Sequence, residues 1–265
     1  MATVNTNLNL TSKDICLLAR SRRTAVFPMD DRLTAVIANV RQQSSLMTTY
    51  YEQPQRCAVC GTVVQCRVLG STNSFGSPDL DLRPAEMQRS TMNVWLQECP
   101  KCCFVNSNLE NTTPNANAVL ESSKYQQIAA DTKHPDLARR FARYAELNAY
   151  DHEDAGVALI RSAWVCDDEG ATALAIAYRS QTADLLLSLQ PFEDNEERVT
   201  LATALVDVLR RALRFPEAKA LATTVRSYKS VASNEIIASV LDYQTRLCDA
   251  KDTGCYSVSD ANESG

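Results

Sequence analysis

Cys57-Ala58-Val59-Cys60 and, further along, Cys99-Pro100-Lys101-Cys102 decide how this chain is read. The two-residue spacer lets a tight turn aim both sulfurs of a pair at one point, and backbone N–H groups of the turn stabilise the thiolates. Two such turns supply four ligands, the tetrahedral set that zinc accepts at about 2.3 Å per Zn–S bond. Cys57, Cys60, Cys99 and Cys102 are therefore assigned as metal ligands, with Zn2+ as a structural cofactor. The gap of 38 residues between the pairs (61–98) exceeds the roughly 15–20 of the common pattern. An insertion at the tip of the unit absorbs it, because closure entropy grows slowly with loop length. A thioredoxin-like redox pair would need a βαβ context, and one CxxC would suffice.

Working outward, Thr62-Val63-Val64-Gln65-Cys66-Arg67-Val68-Leu69 leaves the first turn as a β-rich run. Thr91 to Glu98 enters the second, with Met92, Val94 and Leu96 alternating onto one face of an expected strand. Residues 48–104 thus form a zinc ribbon: strand, knuckle, strand. The stretch between the strands, Gly70 to Pro78, is dense in turn formers. In extended form Asp79 and Asp81 share one face of the chain that follows, and Pro84 is placed to seat the first turn of a short helix. Cys103 stands where Gly61 stands in the first knuckle and reads as a small residue tolerated at the turn, with a spare metal ligand or a redox-sensitive thiol as the alternative. Cys66 is in phase with Val64 and Val68 and reads as core. Cys16, Cys166, Cys248 and Cys255 have no metal spacing.

Residues 105–113, rich in Asn, read as a linker. From 114 to 252 the chain reads helical. Leu137, Phe141 and Tyr144 lie on one helix and Ala155, Leu159, Ala163 and Trp164 on the next. Further helices run over Glu169–Leu189 and Glu196–Leu213, then from Pro216 to Tyr228 and from Asn234 to Asp249. Arg210 to Ala218 has the logic of a tetratricopeptide turn: a helix end, an aromatic-Pro turn, then a small Ala where two helices cross. Asn148 to Ala155 repeats it 63 residues earlier, nearly two periods of the 34-residue repeat. An ordinary helical bundle is the plain alternative. Residues 1–47 are expected to be a poorly ordered N-terminal extension and 253–265 a disordered tail. The fold class expected is α+β: an N-terminal zinc ribbon of small antiparallel β structure, then an all-α tetratricopeptide-like domain.

The 265 residues are 45% hydrophobic and 22% charged, with only 7 Gly, an ordinary globular mixture. A net charge of −5 argues against a general electrostatic grip on nucleic acid. No apolar run reaches the 18 residues of a membrane span, and the first residues lack the unbroken apolar stretch of a secretion signal. A cytoplasmic location is expected.

The set Cys57-x-x-Cys60-Gly61, Asp79-x-Asp81-x-Arg83-Pro84 and Cys99-Pro100-x-Cys102 resembles an uncharacterised bacterial zinc-ribbon family, one of the domain-of-unknown-function groups. Its members join such a ribbon to a tetratricopeptide-like helical half. The resemblance covers about residues 48–250 and implies zinc on Cys57, Cys60, Cys99 and Cys102. It carries no activity across, and Cys103 departs from the family's Gly.

The function expected is that of a non-enzymatic scaffold or adaptor. Zinc holds the ribbon, and the helical half offers a surface to a protein or peptide. A ribbon of this size cannot bury enough apolar surface alone, so loss of Cys57 or Cys99 is expected to unfold it while leaving the helices largely intact. One alternative is a divalent-metal-dependent hydrolase using Asp79, Asp81 and Glu86, against which the aspartates pair with Arg83 or Arg89 or cap turns in a hydrated loop. The other is a nucleic-acid-binding ribbon, for which Phe75 and Trp95 are the stacking candidates. Five basic and four acidic residues between 56 and 104 are too balanced for a phosphate-tracking surface. No Ser/His/Asp or Cys/His catalytic set is visible.

Overall fold

A computed structural model describes residues 48–263; the extension expected over 1–47 and the last residues of the expected tail lie outside this range. The first element is an antiparallel hairpin of β1 (Thr49–Arg56) and β2 (Val63–Ser71), with Gln53 opposite Cys66 and Arg56 opposite Val63. Alternation puts Gln55, Val64 and Cys66 on the inner face, where Gln55 Oε1 accepts from the Leu109 N–H at 2.9 Å. Two short pairs follow: β3 (Ser74–Phe75) with β4 (Glu86–Met87), and β5 (Gln97–Glu98) with β6 (Val105–Asn106).

The strand expected over Thr91–Glu98 is instead a 3-10 turn over Arg89–Val94, with strand only at Gln97–Glu98. Local side-chain bonds explain the change. Ser90 Oγ donates to the Met87 carbonyl and Thr91 Oγ1 to the Gln88 carbonyl, each at 2.7 Å, which offers the backbone a tight turn in place of a ladder. Met92, Val94 and Leu96 are buried all the same. Pro84 is followed by β4 rather than by a helix.

The rest is helical: α1 (Ala116–Glu121), α2 (Ser123–Ala130), α3 (Asp136–Leu147), α4 (His152–Asp168), α5 (Thr172–Leu187), α6 (Glu196–Arg211), α7 (Phe215–Arg226), α8 (Lys229–Ala232), α9 (Glu235–Asp249) and α10 (Val258–Glu263). Asp151 caps α4, its Oδ1 accepting from the N–H groups of Glu153 and Asp154 at 3.0 and 3.1 Å. Asn195 and Asn234 cap α6 and α9 in the same way, each satisfying a donor that the helix cannot. Pro216 sits in the first turn of α7, where its missing N–H costs nothing. Short turns between successive packed helices make neighbours antiparallel. Every residue of α6 from Leu201 to Arg211 is buried, so the other helices wrap it rather than lie to one side.

Residues 105–113 are not a free linker. Val105 and Leu109 are completely buried, and the Leu109 carbonyl accepts from the Ala58 N–H at 2.8 Å. The chain after 252 is not a loose tail either. Ser257 bridges Asp79, Tyr256 O accepts from the Leu80 N–H at 2.9 Å, and Ala261 of α10 is buried against Leu80, Val240 and Leu247. The apolar residues that anchor these segments are too few to show as a periodic pattern, yet each finds a partner far off in the sequence. The two halves share a core. Cys57, Cys66 and Cys99 form one cluster with Phe104, Leu120 and Leu147. Among the described residues no helix is long and apolar enough to cross a membrane.

Candidate metal centre

Each CxxC pair closes the same turn. The N–H of Gly61 donates to the Cys57 carbonyl at 2.8 Å, and that of Cys103 donates to the Cys99 carbonyl at 2.8 Å. The Cys57 N–H reaches Thr62 O and the Cys99 N–H reaches Phe104 O, both at 2.9 Å. The two knuckles thus repeat each other bond for bond. The residue after each pair takes a left-handed backbone, φ 74° at Gly61 and φ 59° at Cys103. Gly adopts that region freely, whereas a residue with a Cβ carries strain there. The site fixes the backbone at position 103 while Cys supplies the side chain.

The turns face each other. Cys57 Sγ lies 3.6 Å from Cys102 Sγ, and Cys60 Sγ lies 3.5 Å from Cys99 Sγ. All four sulfurs fall within 4.8 Å of one another. These separations are too long for a disulfide, which holds its sulfurs about 2 Å apart, and all four cysteines are free. Four thiolates at about 2.3 Å from a central ion stand about 3.8 Å apart along a tetrahedral edge, so the observed spacing fits a Zn2+-sized ion. Cys57 and Cys99, the first of each pair, are buried, while Cys60 and Cys102 are partly open.

The electrostatics point the same way. Burial pushes the free thiols of Cys57 and Cys102 up from their ordinary value. Thr62, through its hydroxyl and its backbone N–H, holds Cys60 down at about 6. Phe104 provides the matching backbone N–H to Cys102. Buried thiols in contact resist ionising together, and a bound dication reverses that preference.

The three acidic residues of the hydrolase alternative do not converge. Asp79 pairs with Arg89 Nη2 at 2.6 Å, as the sequence suggested. Asp81 is fully buried, and the hydrated loop expected for it is not there. Its Oδ2 accepts from Trp164 Nε1 at 2.9 Å, Arg211 Nη1 at 3.1 Å and Arg179 Nη2 at 3.3 Å. Glu86 is exposed on β4 and approaches Arg89 at 3.9 Å. Among the described residues, Cys57, Cys60, Cys99 and Cys102 are the group arranged to hold a metal. Trp95, offered as a stacking candidate, has its indole N–H on Thr91 Oγ1 at 2.8 Å and its edge on Phe141; Phe75 is half exposed.

Sequence reading missed what ties this centre to the helices. Glu98, next to Cys99, is gripped by Arg143 of α3, and Cys103 O accepts from Tyr125 Oη at 2.6 Å. An Arg at a core-facing position of an amphipathic helix was the available signal. It also missed a surface pair, His152 Nδ1 with Ser188 Oγ at 2.6 Å. That hydroxyl also bonds the Leu185 carbonyl at 2.5 Å, so the serine serves the end of α5 rather than standing ready as a nucleophile.

No family model matches the chain, and no curated protein or solved structure matches it.

Proposed function

We propose that this protein is a non-enzymatic scaffold whose folded state is stapled by one structural Zn2+ and whose helical half docks a protein or peptide. The observation that carries it is the convergence of four free cysteine sulfurs at zinc spacing from segments 39 or more residues apart. The paired knuckles with their hairpin favour a zinc ribbon. The antiparallel helix succession favours a tetratricopeptide-like half, with Ala155 and Ala218 buried where the sequence places small crossing residues. Both features agree with membership of the bacterial zinc-ribbon family that the motifs resemble. The negative net charge favours a protein partner over nucleic acid.

Metal analysis of the purified full chain tests the staple. One zinc per chain is expected, falling to background in a Cys57→Ser/Cys99→Ser double variant. Unchanged metal content in that variant would overturn the ligand assignment. Affinity capture with the full chain tests the docking role, and a hydrolytic or nucleotide-processing activity in metal-loaded protein would count against it.

A further inference from the structure

Arg161, in the third turn of α4, is the described arginine that is partly buried and yet reaches no hydrogen-bond or ion-pair partner. Its Nε is buried and unsatisfied. Its guanidinium lies over the Trp95 ring, Cζ 5.2 Å from the centroid. That ring is itself fixed by Thr91 and by an edge contact with Phe141. On the packed neighbour α3, Arg139 and Arg140 reach Asp136, and Arg143 reaches Glu98. Arg161 alone of this group is held in place with its charge unspent. Burial holds its pKa below the usual value, with Tyr144 and Asp154 opposing the shift.

A guanidinium whose Nε is buried without a partner is costly to hold, and one stacked on an aromatic plane has already lost much of its rotamer freedom. Binding then costs less ordering than at a free surface arginine. The planar fork matches the two oxygens of a carboxylate or phosphate group. Tyr144 is near enough for its hydroxyl and Arg161 to influence each other; that hydroxyl has no hydrogen-bond partner in the described structure and is a second donor. Asp154 lies near enough to feel Arg161 and is shifted upward, chiefly by burial, yet it forms no ion pair with it.

We propose that Arg161, on its Trp95 platform with Tyr144 alongside, forms an oxyanion-binding site between α3 and α4 that takes a carboxylate or phosphate group. The site is separate from the metal centre and does not depend on the zinc assignment. A carboxylate would come from an acidic peptide, a phosphate from a phosphorylated ligand, and the shared chemistry is a planar or tetrahedral oxyanion facing the fork.

The test is a titration of the full chain with succinate and, separately, with inorganic phosphate at constant ionic strength. It follows the Arg161 Nε–Hε resonance and tryptophan fluorescence. A saturable response to either probe is expected, and the stronger one identifies the group recognised. Arg161→Gln should weaken it roughly tenfold or more, the loss of a charge-assisted contact. Arg161→Lys should retain part of it, and Asp154→Asn should strengthen it by removing a neighbouring negative charge. Three results would each overturn the proposal: no saturable response to either probe, an unchanged response in Arg161→Gln, or a response that appears only after Asp154→Asn. The last would mean that Arg161 serves Asp154 within the protein. Unchanged thermal unfolding of the variants separates lost binding from lost fold.

Discussion

Arg143 Nη1 and Nη2 donate to Glu98 Oε1 and Oε2 at 2.7 and 2.9 Å, a two-pronged bond one residue ahead of a candidate zinc ligand. Arg143 is almost wholly buried, and its Nη1 also lies 3.3 Å from the Cys103 carbonyl. The second knuckle is therefore bolted to α3 on both sides of its cysteine pair.

Metal loss should accordingly spread beyond the hairpin, contrary to the sequence-based expectation of intact helices. Structural zinc contributes roughly 10–16 kcal/mol in small peptides, and the cluster around Cys57 and Cys99 includes Leu120, Tyr125 and Leu147. Chelation should remove hydrogen-exchange protection from 48–72 and also from α1, α2 and the end of α3. Protection should persist in α6, which is buried all round. Loss confined to the hairpin would show that the two halves are uncoupled.

Arg143→Met should destabilise the metal-loaded protein by about 2–3 kcal/mol. Breaking a buried pair by removing one partner costs about 3–5 kcal/mol, and the figure is reduced because Glu98 keeps a quarter of its side chain in solvent. Denaturant unfolding reads this directly. The double variant with Glu98→Gln should recover part of the loss, since it removes a carboxylate left with only the longer 3.5 Å pairing to Arg140.

Asp81 should make folding sensitive to strong acid. Burial favours its neutral form, but Arg179 and Arg211, helped by the Trp164 N–H, override that and hold its carboxyl below the ordinary carboxylate value. A depressed folded-state pKa contributes stability that is fully present above the unfolded value, about 3.9, and is lost as pH falls through the folded one. The wild type should therefore lose stability below about pH 4 more steeply than Asp81→Asn. At neutral pH Asp81→Asn should cost about 3–5 kcal/mol, because it leaves Arg179 and Arg211 with Asp167 alone. Equal slopes for the two proteins below that pH would remove Asp81 from the account.

The two knuckles should respond oppositely at matched positions. Cys103→Gly relieves a Cβ held at φ 59° and should stabilise by up to about 1 kcal/mol with zinc content unchanged. Gly61→Ala puts a Cβ at φ 74°, where open space surrounds it, and should destabilise by about 1–2 kcal/mol from backbone strain alone. Lower zinc content in Cys103→Gly would instead make Cys103 a ligand.

Some of this was written in local sequence. The CxxC spacing made both turns and named the four sulfurs, because a two-residue spacer allows few backbone paths. Pro216 and Asn234 placed helix starts, because each removes or satisfies a donor within one turn. The helical half was legible from its period, although the boundaries of α5 and α6 moved by two or three residues. Other features needed the tertiary structure. Asp79 and Asp81 looked like a solvent-facing pair, but Asp81 is buried by arginines 98 and 130 positions away. Residues 105–113 and 253–263 looked loose, but single apolar side chains lock each to a distant element. Turn geometry and capping act over four or five residues and so are fixed by neighbouring side chains. Burial of a charge or a lone Leu is decided by what the folded chain brings against it, and no local pattern encodes that.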